Sequence, residues 1–406
     1  MVCFFMITYN TIVYIALIFI ISSFFVSRLF HGYISQELVK DHKFKEIDGL
    51  RGVAAIGVFI HHSFYVYEQS ISGDWNIYRG GHGEVVNTLY NIIINAGPVA
   101  VAIFFMITGF LFFDKLISSK GSLSPREFFI KRIYRIAPMY YFAVAAAFLA
   151  SSVYGLSRVD DIWGYLSLRL GWFTFNLFPY EGFTDHVKYG RITAGVFWTL
   201  AIEWKFYLIL PLLTVFCGGL ISASVFVLVS TLFITYLFCF GVINPHDSSL
   251  LLCFMAGMFS ACLRNYNNST VSNILKSWIV GVFSVYLICI AIIKYPDVYN
   301  PYVIVYYFLF FICVSNGNTL LGVMRFTPLR FIGLISYSIY LMHGIILNLS
   351  VHFMGNSFGY KSMVFTAIPI TIFICTTTYI FIERKFSYAS KSNMVTRITA
   401  SKIHEQ

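Results

Sequence analysis

The stretch IDGLRGVAAIGVFIHHSF, residues 47–64, decides the fold, because it is an apolar helix pattern long enough to enter a bilayer and yet carries ionisable residues. Asp48 and Arg51 stand near its start, and His61 and His62 lie well inside it. Ionisable groups at that depth are costly and mark a functional site by default. At ~100° per residue, Arg51 and His62 share one helix face, roughly 16 Å apart, whereas His61 points about 80° away. The alternative interpretation is a pair of buried histidines held by polar partners in the interior.

The composition is that of a membrane protein. Of the 406 residues, 58% are hydrophobic and 11% are charged, and the mean hydropathy is +0.75, far outside the range of soluble globular chains. The eight cysteines include no CxxC pair, and most sit singly in apolar runs, which argues against a disulfide framework or a cysteine metal site. The excess of 28 Lys and Arg over 18 Asp and Glu favours basic cytoplasmic loops over a nucleic-acid partner. The sequence therefore predicts an all-α integral membrane protein in a lipid bilayer.

Apolar segments predict a polytopic bundle of ten core transmembrane helices plus one N-terminal helix. The N-terminal helix, residues 9–27, has no positive charge before it and no small-residue cleavage site after it, so we expect it to remain uncleaved. The aromatic segment 161–178 is expected to be a periplasmic helix or loop, because it contains Arg169 and Asn176 and is followed by Pro179. The core helices are predicted at residues 47–66, 95–114, 136–154, 196–216, 219–241, 248–264, 276–294, 301–315, 331–352 and 362–382.

Charge placement gives an independent prediction of orientation. The segments with excess Lys and Arg alternate along the chain with mixed or acidic segments, as a positive-inside topology requires. The chain is therefore expected to be a multi-pass protein of the cell inner membrane with a cytoplasmic C-terminus. The basic segments are 31–46, 115–135, 264–276, 317–330 and 384–406. The mixed or acidic segments are 67–94, 155–195, 242–248 and 295–300.

With these residues in view, the opening stretch resembles the first helix of the membrane acyltransferase-3 family, in which an Arg or Lys is followed by ten residues and a His, here Arg51 and His62. Two later stretches fit the same family: FWTLAIEWKFYLILP (197–211) resembles WTLxxExxFYLxxP, and GLISYSIYLMHG (333–344) resembles GxxSYxxYLxH. The closing FIERKF is similar to the terminal element of the family and is expected to place Glu383 in an ion pair at a helix end. The resemblance divides the chain into an extra N-terminal helix and linker (1–46), the acyltransferase-3 membrane domain (47–386) and a basic cytoplasmic tail (387–406).

A basic stretch, REFFIKRIYRIAP at residues 126–138, matches the RxxR element of the family. Arg132 and Arg135 are three apart and hence neighbours on a helix, where their forks can bind phosphate bidentately. With Lys131 and Arg51 they are the candidate ligands for the pyrophosphate and 3′-phosphate of coenzyme A. The alternative is ordinary positive-inside charge, or contact with anionic lipid.

The other candidate residues lie in the two later motifs. Glu203 is expected about 10 Å into its span, where its partner would be an acceptor hydroxyl, His62 or Lys205; a structural ion pair is the alternative. Ser336, Tyr340 and His343 form one polar stripe, which either binds substrate or holds helices together. The resemblance implies catalytic roles for His62, Glu203 and His343, and substrate contacts for Trp198, Ser336, Tyr340 and Asp48.

The resemblance further implies transfer of an acetyl group from cytoplasmic acetyl-CoA to a hydroxyl of an outside glycan or lipid-linked sugar. Lipopolysaccharide O-antigen is the expected acceptor, and capsule, peptidoglycan, exopolysaccharide and macrolides are the alternatives, since enzymes that modify them share this core. His62 would be the general base and Glu203 would orient it, with an acetyl-His62 intermediate as the rival route. No metal is implied, since the histidines are scattered over different helices. Some relatives carry a fused SGNH hydrolase-like domain; this chain ends at residue 406, so we expect it to act alone or with a separate partner.

Two other functional classes remain open. A transporter or flippase would also place His, Glu and Arg inside the membrane. Against it stand the phosphate-binding arginines and the lack of paired, Gly- or Pro-broken helices in matching halves of the chain. A scaffold within an envelope assembly is the weaker alternative, and turnover of acetyl-CoA would separate the enzyme from both.

Overall fold

The structure, a computed structural model, describes residues 9–39, 43–73, 75, 84–153, 170–177, 191–295, 297–354 and 358–388, and the regular structure in these ranges is helical. The helices are α1 (Tyr9–Leu29), α2 (His31–Val39), α3 (Lys45–Ser72), α4 (Glu84–Ser118), α5 (Pro125–Val153), α6 (Trp198–Leu213), α7 (Leu220–Cys239), α8 (Pro245–Asn265), α9 (Ser269–Lys276), α10 (Trp278–Lys294), α11 (Pro301–Ser315), α12 (Thr327–Leu334), α13 (Ser336–Met354) and α14 (Gly359–Thr378), and a π-helical turn (Tyr379–Arg384) continues α14. Each of the eleven predicted apolar segments falls on one or two of these helices.

Seven helices of the described chain are long and apolar enough to cross a membrane: α1, α4, α5, α6, α7, α8 and α14. The number rises to nine if the bent pairs α9–α10 and α12–α13 each count as one span. α3 is not among them, because its charged first turns and its two histidines lower its mean hydropathy, and α11 has only 15 residues. These findings confirm an all-α polytopic membrane fold.

α3 lies at the centre of the bundle and is packed closely by its neighbours. α4 runs antiparallel to it, since Lys43 pairs with Asp114 at one end and the His61 ring meets the Ile93 carbonyl further along. α12 crosses the start of α3 where Gly52 and Gly333 face each other's backbone, and a Cβ on either glycine would overlap a backbone carbonyl of the other helix. Small residues at such crossings let helix backbones approach closely in membranes.

We call the end of the bundle at which α3 begins the basic end. It holds the Lys43–Asp114 ion pair and the ion pair between Arg325 and Glu46, 2.6 Å apart. The last described residues return to this end, where the Tyr388 hydroxyl donates to Glu37 of α2. The start of α3 and the end of the described chain therefore share one side of the bundle.

Four expectations are corrected or limited by the fold. The predicted span 331–352 is broken at Ile335, where α12 and α13 meet at 74°. The core helix predicted to begin at residue 136 begins at Pro125, so the basic stretch 126–138 lies within α5. Arg330, counted among the loop charges, is buried and donates to the Leu38 carbonyl at 3.0 Å. Of the segment 161–178, only residues 170–177 are described, and the basic tail beyond residue 388 and most of 155–195 lie outside the described residues.

Candidate functional site

A cavity of about 240 Å³ opens among five helices, α3, α4, α5, α6 and α13, toward the basic end of the bundle. Its lining includes five basic side chains and one acidic side chain, so its charge is strongly positive. We call it the cationic cavity. Its polar lining residues are Arg51, Thr108, Lys115, Lys131, Arg132, Arg135, Thr199, Glu203, Tyr207, Ser336, Tyr337 and Tyr340.

The guanidinium groups of Arg51, Arg132 and Arg135 converge on this cavity from two helices. None of the three has a hydrogen-bond or ion-pair partner in the described part of the chain, and the Nε atoms of Arg51 and Arg132 are buried without one. Arg132 also lies over the Phe112 ring, 5.0 Å from its centroid. Buried polar groups are nearly always hydrogen-bonded, so three unpartnered guanidinium groups around one cavity indicate a site for an anionic ligand.

Glu203 lies in the wall of the cationic cavity, and its partners differ from those expected. Its carboxylate accepts hydrogen bonds from Tyr207 at 3.1 Å and from Thr108 at 3.4 Å. No hydrogen bond joins it to His62 in the described structure, and Lys205 is exposed. The orienting role expected for Glu203 at the His62 ring therefore has no geometric support, and the carboxylate instead stands among the three arginines.

The ring that does contact His62 is His343. His343 Nε2 lies 2.9 Å from His62 Nδ1, and His343 Nδ1 lies 2.9 Å from the Ile339 carbonyl. A carbonyl oxygen can only accept, so His343 Nδ1 carries a hydrogen, and in a neutral ring its Nε2 must then accept. His62 Nδ1 donates to it, which leaves His62 Nε2 with a free lone pair.

The two adjacent histidines of α3 point to different neighbours. His61 meets the Ile93 carbonyl at 3.3 Å, and its ring lies against Gly97 of α4, where a Cβ would come within 2.5 Å of it. His62 turns toward α13 and keeps part of its surface exposed, whereas His343 is fully buried. The separation expected from helix geometry is therefore present in the structure.

We call His62 and His343 the histidine pair, and this pair does not line the cationic cavity. Phe104, Thr199 and Tyr340 lie in the cavity wall, and the Tyr340 ring lies 6.2 Å from the His343 ring. The Thr199 and Tyr340 hydroxyls are 2.7 Å apart. We call these two residues the Thr199–Tyr340 constriction, and through Tyr340 the cavity wall comes next to the histidine pair.

The remaining predicted residues divide between the cavity wall and other places. Ser336 and Lys131 line the cavity, and Lys131 also pairs with Glu127 at 3.4 Å. Trp198 lies outside the cavity, with its ring 6.5 Å from Phe105 and 5.7 Å from His246. Asp48 does not line the cavity either.

Sequence reasoning missed the contribution of Tyr207 to this site and predicted the wrong partner for Glu383. Tyr207 lies inside the quoted motif one helical turn after Glu203, a spacing that should have drawn attention to it. Glu383 was expected in an ion pair at a helix end, which is wrong: it is 6% exposed and accepts from the Ser338 hydroxyl at 3.3 Å. The ion pair there belongs to Arg384 and Glu37, 3.8 Å apart. The π-helical turn that holds Glu383 has no sequence signature, so no signal could have found it.

A ladder of rings continues from His61 away from the basic end. The His61 and Tyr65 ring centroids are 4.5 Å apart, and Tyr65 and Trp75 are 5.4 Å apart. The Arg191 guanidinium lies 5.9 Å from the Trp75 ring centroid. We call these four side chains the aromatic ladder. Among the described residues, no group of three or more His, Cys, Asp or Glu side chains is arranged to hold a metal.

Comparison with known proteins adds the family. The chain matches nodulation protein 10 of Rhizobium leguminosarum bv. viciae with 33% identity over 189 residues, 44% of this chain and 46% of that protein. It matches the putative peptidoglycan O-acetyltransferase YrhL of Bacillus subtilis with 22% identity over 397 residues, 88% of this chain and 57% of that protein. It matches the O-acetyltransferase OatA of Staphylococcus aureus with 24% identity over 339 residues, 73% of this chain and 49% of that protein.

The chain thus spans about half the length of the curated relatives that it matches, 46%, 57% and 49%. No solved structure matches it. The pattern of the acyltransferase-3 family, described as an acyltransferase domain, matches residues 44–382, which include the cationic cavity and the histidine pair. The chain therefore belongs to the acyltransferase-3 family of membrane proteins.

Proposed function

We propose that this protein is a membrane O-acetyltransferase that moves an acetyl group from acetyl-CoA to a hydroxyl of a cell-envelope glycan. The family and the names of two matched relatives support the reaction class. The observation that carries the proposal is the cationic cavity, in which Arg51, Arg132 and Arg135 have no partner in the described chain. Coenzyme A, with its pyrophosphate and 3′-phosphate, is a polyanion of the kind that such a cavity would bind.

In this proposal the donor enters from the basic end. Its phosphates bind Arg132 and Arg135 with Lys115 and Lys131 at their side, and Arg51 binds deeper. The thioester then points toward the Thr199–Tyr340 constriction. A hydroxyl there can donate to the thioester oxygen when it gives up its hydrogen bond to the Val196 carbonyl or to the other hydroxyl. In this proposal the protein lies in the inner membrane and its basic end faces the cytoplasm, because acetyl-CoA is made there. Tyr388, the last described residue, lies at the same end.

The acetyl transfer follows from the tautomer of the histidine pair. The acceptor oxygen attacks the thioester carbonyl carbon, and its proton passes to His62 Nε2. The new C–O bond forms as the C–S bond breaks, and the protonated His62 returns the proton to the coenzyme A thiolate. His343 accepts from His62 Nδ1 throughout, so it holds the base in the correct tautomer and orientation.

The rival route uses His62 Nε2 as the nucleophile. It would attack the thioester, release coenzyme A and carry the acetyl group as an acetyl-imidazolium until the acceptor oxygen displaces it. A single turnover with acetyl-labelled donor and no acceptor separates the two routes. Label that stays on the protein and disappears in His62→Gln identifies the covalent route, and label that stays on the donor identifies direct transfer.

For the acceptor, we propose a sugar hydroxyl that approaches along the aromatic ladder, since the ring faces of Tyr65 and Trp75 can stack on sugar rings. Lipopolysaccharide O-antigen is our first candidate. Peptidoglycan, which appears in the name of the Bacillus subtilis relative, is the second. The acetyl content of each glycan, measured by mass with and without the protein, decides between them.

The test of the whole proposal is directional. In sealed, oriented vesicles that contain the protein, acetyl-CoA should support acetylation of a glycan on the opposite side only when it is supplied at the basic end. Coenzyme A phosphates cannot cross the bilayer core and meet no arginine cavity from the other side. Equal product from donor on either side of intact vesicles would contradict the proposed orientation, and no turnover of acetyl-CoA from either side would contradict the enzyme.

One observation favours a second candidate, a flippase or transporter of a glycan. The structure breaks two helices, α9–α10 at 59° and α12–α13 at 74°, and the second break places Ser336 at the cationic cavity. Transporters often build their substrate sites at such breaks, so the argument against this class from unbroken helices does not hold. Glycan that crosses the vesicle membrane in the absence of acetyl-CoA, and is recovered on the other side without an acetyl group, would identify the transporter.

A further inference from the structure

A second cavity, about 400 Å³ in volume, lies at the basic end away from the proposed donor site. It is enclosed by the start of α3, the end of α8, the short helix α9, the end of α11 and the turn that carries Arg325. We call it the second basic cavity. Its polar lining residues are Lys43, Glu46, Arg264, Asn267, Asn268, Ser272, Lys276, Asn316 and Arg325.

Two of its four cations are already neutralised. Lys43 pairs with Asp114 at 2.7 Å, and Arg325 pairs with Glu46 at 2.6 Å. These contacts hold the start of α3 to its neighbours, and they leave no acidic group free in the lining. The charge that remains in the cavity must come from the other two cations.

Arg264 and Lys276 supply that remaining charge. The Arg264 guanidinium donates to the Ser315 carbonyl at 2.7 Å and lies over the Phe44 ring, so its partners are neutral. Lys276 is exposed and has no hydrogen bond or ion pair in the described chain. The cavity therefore holds two uncompensated cations, and the amide of Asn267 and the hydroxyl of Ser272 also line it. Together these groups can bind one phosphate group.

The bend between α9 and α10 indicates that this cavity lies at the membrane surface. α9 meets the spanning helix α10 at 59°, so α9 does not continue along the direction of the span. Around the cavity three large side chains face outward: Tyr266 is 60% exposed, Ile274 54% and Trp278 63%. Aromatic and apolar residues exposed beside basic residues are typical of the interface between lipid headgroups and hydrocarbon.

We propose that the second basic cavity binds the phosphate of an anionic phospholipid headgroup. Its position at the interface favours a lipid over a soluble phosphate compound, although both present the same chemical group. Basic pockets between transmembrane helices bind anionic headgroups in this way. A bound headgroup would bridge α8 and α9 through Arg264 and Lys276, and would stabilise the corner that leads into α10. The inference is independent of the acetyltransferase proposal.

The test measures the thermal unfolding midpoint of the whole protein in neutral detergent during titration with phosphatidylglycerol. The expected result is a saturable rise that phosphatidylcholine does not produce. Lys276→Gln should weaken the apparent affinity about fivefold, and Arg264→Gln by a similar factor. The matched control is Lys385→Gln, which removes an exposed lysine outside both cavities and should leave the affinity unchanged. Native mass spectrometry gives a second measurement, the number of phosphatidylglycerol molecules retained by each variant.

Three results would overturn the proposal. The first is an equal loss of affinity in Lys276→Gln and Lys385→Gln, which would make the effect one of general charge. The second is loss of the effect in Arg132→Gln, which would place the lipid in the cationic cavity. The third is a rise in the midpoint with inorganic phosphate but none with phosphatidylglycerol, which would assign the cavity to a soluble phosphate compound.

Discussion

The cationic cavity and the histidine pair are both buried polar regions of one bundle, yet they satisfy their polar groups in opposite ways. In the cavity, Arg51, Arg132 and Arg135 converge without a partner in the described chain. In the pair, His62, His343 and the Ile339 carbonyl form a chain of two hydrogen bonds of 2.9 Å each. The first region is built to receive a charged ligand, and the second is already organised around a single free lone pair.

Under the proposed function, this difference means that donor binding and acetyl transfer take place in separate parts of the bundle. The Thr199–Tyr340 constriction lies in the wall of the cavity, and neither histidine of the pair lines the cavity. In the proposed function, the thioester of a donor bound by the arginines reaches His62 past the Tyr340 ring, which lines the cavity and lies 6.2 Å from the His343 ring. Substitutions in the two regions should consequently change different measured quantities.

The largest effect is expected at the histidine pair. His62→Ala should lower the rate of acetyl transfer about 100- to 10,000-fold, the usual contribution of a general base, and leave the affinity for acetyl-CoA unchanged. Initial rates measure the loss of transfer, and a donor-binding titration on the same preparation measures the affinity for acetyl-CoA. His61→Ala is the matched control, because that ring faces Ile93 instead of His343, and it should keep a substantial part of the activity. An equal loss of activity in His62→Ala and His61→Ala would contradict the special role proposed for His62.

The next effect is expected in the cationic cavity. Arg132→Gln and Arg135→Gln should each weaken acetyl-CoA binding by about 1.5 to 3 kcal/mol, the contribution of a charge-assisted hydrogen bond. The affinity for the acceptor should not change. Arg126→Gln, which removes a charge from the first turn of α5 outside the cavity lining, is the control. Unchanged donor affinity in both cavity variants would support the alternative that these arginines only set the orientation of the protein in the membrane.

Much of the fold could be predicted because its signals are local. Every predicted apolar segment corresponds to helix, because a segment of about 20 apolar residues in a bilayer satisfies its own backbone hydrogen bonds by forming a helix. The bend at Ile335 and the burial of Arg330 could not be predicted, because both depend on contacts between segments far apart in the chain. Arg330, for example, donates to Leu38, 292 residues away.

In the candidate site, too, local features could be predicted and contacts between distant segments could not. The spacing of Arg132 and Arg135, and of Ser336 and Tyr340, correctly placed each pair on one face of a helix toward one cavity. The partner of His62 did not follow from spacing, because Glu203 and His343 lie on different helices and only packing decides which of them reaches the ring. The roles of these residues in catalysis stay predictions.

A smaller effect is expected when the pair itself is weakened. His343→Leu removes the acceptor for His62 Nδ1–H and should lower the transfer rate about tenfold, the value of one hydrogen bond near 1.4 kcal/mol. His343→Gln can still accept through its side-chain oxygen and should recover part of that loss. Rates at saturating donor measure both variants, and the KM for acetyl-CoA should stay constant. A change in KM with no change in kcat would mean that His343 shapes the cavity instead of the base.

The smallest effect is expected at the constriction that separates the two regions. Tyr340→Phe keeps the ring that closes the cavity but removes the hydroxyl that lies 2.7 Å from Thr199. Donor affinity should stay constant, and transfer should fall only about two- to tenfold, since the two hydrogen bonds that are lost, with Thr199 and with the Val196 carbonyl, are both neutral. Hydrolysis of acetyl-CoA without acceptor should rise, because the constriction would admit water to the thioester. Tyr337→Phe is the matched control: its hydroxyl also lies at the cavity but donates to the Ile136 carbonyl at 3.0 Å, away from Thr199. If both variants hydrolyse the donor equally, the Tyr340 hydroxyl does not hold the two regions apart, and the cavity and the histidine pair must be separated by packing alone.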